Sequence, residues 1–545
     1  MQNRPFVLST NEYGAIIRSN DTYNLHAALT YVPPELCGAT IEPVSLIYYT
    51  TKEVPKWQGT DKPPEDYGSD ILTLHKKEVY AYTFYCDSVS WDDSLLWEDE
   101  YLTNPTDEQI AVLDSRDMSG DGTKENPWKN VTYALEKLTC YFNVICPSCF
   151  YIQLKVSGTV DYTVCTYTDY KRNSQSRFKG VLILNGCSVT KESNAPYLYG
   201  YYACEGVQYI NCSATLTATD ESSAYDTVMG FYSRYSTFTS CTVTLSGAIP
   251  SYAYGLYADN SLCMGCKAYV LPMCVGIRSQ AIYDCDVISS SATQPEYSAT
   301  ALVGSYVYLC RCSSNYSAYI GIEADRAYGC SVHVANQVSQ AAERPRDFLG
   351  MTVDVAAYAC NVIVDTISEI YGDAYGVTQF TGINTNHRAE LINCYVSIGV
   401  DATREAKVEI IGIYNAGSNT SIYGCNVNIV HRQPVIHDFS IYGFSGSDDY
   451  AAYLYHCNAV LTVHCTTAEL DEGGYRQTVE LMGYSGFANS SFYRCIADLN
   501  YTGTQDNIIV VGCGFHDLSG ERIFTECESN HISIGGDFSS RCIEI

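Results

Sequence analysis

Cysteine recurs in this chain ahead of one short pattern. The segments that begin with it read CSVTK, CSATLT, CTVTLS, CKAYVL, CDVIS, CSVHVA, CNVIVD, CYVSIG, CNVNIV, CNAVLT and CIADLN. Apart from the fifth residue of CSVTK and CDVIS, each is Cys–x–apolar–x–apolar, the period-two alternation of a strand with one buried face. The residues in phase are Cys187, Cys212, Cys241, Cys266, Cys285, Cys312, Cys330, Cys360, Cys394, Cys425, Cys457, Cys495 and Cys527, 13 of the 26 cysteines. Steps between them run from 18 to 38 residues and average roughly 28, within the range of solenoid repeats. A glycine flanked by apolar residues or Tyr precedes many of them, at Gly230, Gly255, Gly276, Gly321, Gly412, Gly443 and Gly483.

Helical periodicity is weak inside the repeats, and no WD or kelch signature is present, which sets aside helical solenoids and propellers. The remaining expectation is all-β: a parallel β-solenoid of about 13 coils, with like residues stacked ~4.8 Å apart and ~60 Å of coil in all. Parallel Cβ vectors at that spacing sit wider than the ~3.8 Å a disulfide prefers, so the ladder cysteines are read as free, buried filling.

Composition limits the partners. With 61 Asp+Glu against 32 Lys+Arg the formal charge is −29, which repels phosphate backbones and excludes nucleic acid as a partner. No apolar run reaches the ~18 residues a membrane span needs, so no membrane insertion is expected. The opening MQNRPFVLST lacks a basic stretch followed by an apolar one, so synthesis in the cytoplasm without a classical signal peptide is expected. One CxxC occurs at Cys146 and Cys149, near Cys140 and Cys165; the spacing fits no familiar zinc pattern, and neither a metal nor another cofactor is expected. Nucleotide-binding, zinc-protease, EF-hand and serine-hydrolase fingerprints are absent.

Ahead of the repeats lies MSGDGTKENPWKNVTYALEKL, residues 118–138. Gly120, Asp121 and Gly122 read as a turn. Asn126 reads as the cap of a helix beginning at Pro127, with Trp128, Val131, Ala134, Leu135 and Leu138 on one face. Such a helix would cover the open end of a solenoid. The strand FYIQLKVSGTVDYTV (150–164) follows as a first coil. The run GDGT–x–x–NPW–x–x–V–x–x–AL with its following Gly–Thr strand resembles the entry to right-handed parallel β-helix proteins of the pectate-lyase-like superfamily, which includes phage tail spikes and tail fibres. The resemblance implies a structural and recognition protein that binds a cell-surface glycan along one edge, as a homotrimer or part of a larger particle, on a virion or otherwise extracellular. A polysaccharide lyase or glycoside hydrolase of the same fold is the second reading, and a bacterial surface adhesin the third. Residues 1–115 carry Trp57, Trp91 and Trp97 and two Pro-Pro stretches but no cysteine repeat. They are read as an attachment or elaborated capping domain, ahead of 116–164 (capping helix and first coil) and 165–545 (β-helix).

Ligands of a solenoid lie on loops from one edge of successive coils. The longest repeats fall between Cys330 and Cys527, and their insertions hold acidic residues, arginines and tyrosines. Glu369, Asp373, Asp401, Glu405, Asp438, Glu469, Asp471 and Glu472 are the carboxylates from which a glycosidic acid–base pair, ~5–9 Å apart, would be drawn. Arg344, Arg404 and Arg432 suit sugar hydroxyls, and Tyr371 and Tyr475 suit stacking on sugar faces. His431 and His437 flank Pro434 in one presumed loop and are read as solvated, with a metal pair as the sharper alternative.

Overall fold

A computed structural model describes residues 9–10, 16–17, 39–55, 57, 62–87, 120–131, 134–135, 138, 151–165, 181–194, 197–219, 227–249, 252–271, 274–290, 300–315, 320–334, 348–370, 377–386, 388–402, 407–417, 419–436, 439–447, 451–468, 477–503, 508–516, 523–529 and 532–534. These residues are 74% strand and 1% helix, arranged in long parallel ladders consistent with a β-solenoid. The chain divides into two compact units, Met1–Thr50 with Leu74–Ala268 and Thr51–Thr73 with Tyr269–Ile545.

In the first unit, Tyr82–Asp87 pairs in parallel with Ile152–Ser157, so strands on either side of residue 115 are hydrogen-bonded to one another. Ser188–Ser193, Ser213–Ala218 and Thr242–Gly247 then stack in register. Trp128 does not open a helix. Its backbone N–H donates to the Tyr85 carbonyl, its carbonyl accepts from Asp87, and its ring stacks on Phe84 at 5.4 Å. Helix begins instead at Val131, and Val131, Ala134, Leu135 and Leu138 are fully buried. Gly120 and Gly122 both have positive φ, at 115° and 80°, where a side chain is strained.

In the second unit the repeats up to Ile370 supply two strands each, and those from Val377 on supply three. Val377–Thr385, Lys407–Asn415, Phe439–Gly446 and Gln477–Ser485 stack as one ladder. The short Glu390–Ile392, Thr420–Tyr423, Ala452–Tyr455 and Ser491–Tyr493 form the next. The post-cysteine strands Tyr395–Ala402, Asn426–Ile436, Asn458–Ala468 and Ile496–Gly503 form the third. Antiparallel Ile532–Ile534 covers Val510–Gly512 at the last edge, blunting a surface that would otherwise pair with another chain.

The corner between the second and third strands explains the cysteine. Before each ladder cysteine stands a residue with left-handed φ between 50° and 77°: Gly186, Asn211, Ser240 and Gly265 in the first unit; Asp284, Leu309, Gly329, Ala359, Asn393, Gly424, His456, Arg494 and Glu526 in the second. That conformation turns the chain by one residue and points the next side chain inward. In many repeats the thiol then lies against two carbonyls, that of the residue two before it and one on the previous repeat; for Cys425 these are Tyr423 O at 3.6 Å and Leu391 O at 3.5 Å, whereas Cys360 meets only Tyr358 O. Cysteine is small enough for the corner, and its thiol adds a weak donor to a carbonyl that already accepts a backbone N–H, as Tyr423 O does from Asn393. The ladder thiols are free and buried, and burial pushes those of Cys241, Cys310, Cys360 and Cys425 well above the ordinary thiol range.

One assignment from the sequence is corrected. The cysteine in phase within Leu-Cys-Arg-Cys is Cys310, not Cys312: Arg311 N–H donates to Cys285 O, and Ser331 N–H donates to Cys310 O. Cys312 pairs in register with Val287 and Val332, two residues past the corner.

The left-handed corner is strained for residues other than Gly, Asn and Asp, by about 1–2 kcal/mol. Ala359→Gly is therefore expected to stabilise the chain by about 1 kcal/mol, read as a higher urea midpoint at unchanged slope, although glycine in a β-protein ordinarily weakens it.

The glycines before each cysteine serve close approach. Their φ is not left-handed, but a Cβ on Gly276 would lie 2.5 Å from Val287 Cγ1 and 2.8 Å from Ala301 O. Gly321, Gly350, Gly382 and Gly412 face Val332, Val362, Val396 and Val427 in the same way. In every case the opposing valine stands two residues after a ladder cysteine. Aromatic rings fill the wider interior in parallel stacks, such as Tyr201 on Phe231 at 4.3 Å and Tyr484 between Phe444 and Phe515 at 4.9 and 4.8 Å.

Candidate functional site

The third ladder of the second unit carries a polar strip seven residues after successive ladder cysteines. Asp401, Arg432, His464 and Thr502 are direct register partners on consecutive strands. Arg432 Nη1 lies 3.5 Å from Asp401 Oδ1, and His464 Nδ1 lies 2.5 Å from Thr502 Oγ1. Arg432 is more than half exposed. An exposed pair of this kind contributes only ~0–1 kcal/mol to stability, which leaves its hydrogen-bonding capacity open to a ligand. Strand spacing sets the period of the strip at ~4.8 Å.

Of the carboxylates expected to serve a glycan site, Asp401 stands in this strip. Glu369 lies within the strand Asn361–Ile370, beside the level of Asp401, between the partners Ile367↔Val400 and Ile370↔Ala402. Asp373, Glu405, Asp438, Glu469, Asp471, Glu472, Arg344, Arg404, Tyr371, Tyr475 and His437 lie outside the described residues.

His431 is not on a solvated loop. The strand Asn426–Ile436 runs through the presumed loop, and His431 is fully buried. It lies edge-on to Phe439 at 4.6 Å, with Nε2 3.0 Å from Gln433 Oε1. Burial is the main cause of its pKa falling to about 4. A histidine neutral in the fold and protonated when unfolded contributes stability that is full above its unfolded pKa near 6.5 and is lost as pH falls toward 4. The expected loss is about 3 kcal/mol between pH 7 and pH 4. Denaturant titrations at the two pH values should show it, and His431→Phe should remove most of the difference.

A second surface had a sequence signal that was overlooked. Two residues before the cysteine corner the chain reads Tyr–x–Cys in IYDC, VYLC, AYGC, AYAC, IYGC, LYHC and FYRC. Tyr283, Tyr308, Tyr328 and Tyr358 stack in register, as do Tyr423, Tyr455 and Tyr493, with Ile392 joining the two runs. Tyr308 and Tyr328 lie nearly parallel at 5.6 Å. At the other end His456 meets Tyr423 and Tyr493 at 5.4 and 5.5 Å, and the Arg494 guanidinium sits 5.0 Å from the Tyr493 ring.

No family model, curated protein or solved structure matches this chain.

Proposed function

We propose that the chain is a right-handed parallel β-helix of about thirteen coils, closed at its start by the helix around residues 131–138, and that it serves as a recognition protein of the phage tail spike or fibre kind. Its ligand is a host-surface polysaccharide held along the strip of Asp401, Arg432, His464 and Thr502. The observation that carries this reading is the register of that strip: donors and acceptors repeat at one strand spacing on an exposed edge, which suits a polymer that repeats its hydroxyls. The net charge of −29 makes neutral or basic glycans easier partners than polyanionic ones.

The test is glycan-array binding by the intact chain, followed by titration of the best ligand. Arg432→Ala and His464→Ala are each expected to weaken binding about tenfold, the loss of a hydrogen bond to the ligand, with unchanged thermal melting. Binding to no glycan, or binding indifferent to both substitutions, would refute the assignment. The neighbouring levels of Glu369 and Asp401 favour a lyase or hydrolase as the second reading. Release of reducing sugar or unsaturated uronate, abolished by Asp401→Asn, would establish it. Light scattering tests the homotrimer expected of a spike.

A further inference from the structure

The segment Thr51–Thr73 belongs to the second unit, and its Trp57, Tyr67 and Gly68 lie on the tyrosine column. Trp57 sits edge-on to Tyr423 at 5.0 Å and to Tyr455 at 5.3 Å. Its backbone N–H donates to Glu390 Oε1 at 2.6 Å, while Glu390 Oε2 accepts from Tyr358 Oη at 2.9 Å. Tyr67 meets Tyr358 edge-on at 5.4 Å. The Gly68 carbonyl accepts from Tyr308 Oη at 3.0 Å. Gly68 has φ +89°, and a Cβ there would enter the Tyr358 ring, 2.7 Å from Cε2.

The segment is also closed on itself. Lys52 N–H donates to Ile71 O, Tyr67 N–H to Pro64 O, and Ser69 N–H to Asp66 O. Lys52 pairs with Asp70, and the Tyr67 hydroxyl donates to the Pro55 carbonyl. Such a loop carries its own conformation and meets the column through a few anchors: an aromatic wedge, a carboxylate on a backbone amide, and a tyrosine hydroxyl on a glycine carbonyl. Glu390 is about 5% exposed beneath the segment, and displacing the segment would return its carboxylate to water.

We propose that the tyrosine column with Glu390 is a peptide-binding groove, that the segment carrying Trp57, Tyr67 and Gly68 is its resident ligand held in cis, and that the groove takes peptides of the same chemistry: a tryptophan whose amide faces Glu390 and, in a turn, a glycine whose carbonyl faces Tyr308.

Two measurements test this. In native-state hydrogen exchange of the full chain, the Trp57, Tyr67 and Ile71 amides should exchange at least about tenfold faster than the ladder amides of Asn426 and Asn458, because the segment opens without unfolding the strands. In the second, a fluorescent peptide of residues 52–71 is titrated into the Gly68→Val chain, whose own segment cannot seat. Saturable binding is expected there, at least about tenfold stronger than to the wild-type chain, and weakened about tenfold by adding Glu390→Gln. Exchange of these amides only through global unfolding would overturn the proposal. So would absence of peptide binding by a Gly68→Val chain that still melts cooperatively. If that variant does not fold, the exchange experiment on the unaltered chain decides.

Discussion

Valine in place of Gly412 is expected to cost the chain at least about 3 kcal/mol, at the upper end for an overpacked core. The new Cβ would lie 2.6 Å from the Gly443 carbonyl oxygen and against Val427 Cγ1. Both obstacles belong to the ladders, so neither yields by a simple change of rotamer. The oxygen is on a strand paired to that of Gly412, and Val427 follows the corner at Cys425. Chemical denaturation of Gly412→Val should show the loss directly. Adding Val427→Ala removes one of the two obstacles and should restore part of it, giving a coupling of about 1 kcal/mol or more between the two sites. Additive effects would mean that the glycine and valine columns do not face each other.

The second large effect is expected at Tyr484. Its ring is fully buried between Phe444 and Phe515, nearly parallel to both. Its hydroxyl donates to Cys457 O at 2.8 Å and lies 3.1 Å from Ile496 O. Tyr484→Ala removes the middle of an aromatic stack and should cost about 3–5 kcal/mol. Tyr484→Phe keeps the stack but loses the hydroxyl's hydrogen bond to Cys457 O, which still accepts from the Ile496 N–H, for about 1 kcal/mol. Equal effects of the two substitutions would show that the hydroxyl, rather than the ring, supplies the stabilisation.

The repeating strand was legible because its signal is redundant. A cysteine, an alternation after it and a glycine before it recur in most repeats, and each has a steric cause: a tight left-handed corner, one buried face, and a close approach between strands. Where a repeat departs from this, the reading slipped. Around Cys310 and Cys312 the preceding residues are Leu309 and Arg311, neither of which announces a left-handed turn, so the phase was taken from the wrong cysteine. Tyr308, two residues before Cys310, would have fixed it.

HRQPVIHD (431–438) reads as an insertion because it follows the cysteine strand in one of the longest repeats. The strand continues past Pro434, and the proline is tolerated because pairing with Tyr395–Ala402 ends at Asp401↔Arg432. Beyond that point one side of the strand needs no ladder donor. The packing of Trp57 on Glu390, Tyr423 and Tyr455 could not be read at all. It joins positions more than 300 residues apart in sequence, and no local period reports a contact of that kind. Of the candidate site, the pairing of Asp401 with Arg432 needed register, which follows only once the corner cysteines are aligned.

The account rests on cysteines that are interior, free and one to a repeat. Cysteine-by-cysteine alkylation of the native chain, followed by mass spectrometry across a denaturant series, tests this most directly. Cys187, Cys212, Cys241, Cys266, Cys285, Cys310, Cys330, Cys360, Cys394, Cys425, Cys457, Cys495 and Cys527 should all stay unmodified in the fold and become reactive only as the strands open. Rapid native labelling at several of these positions, or disulfides between them, would contradict it.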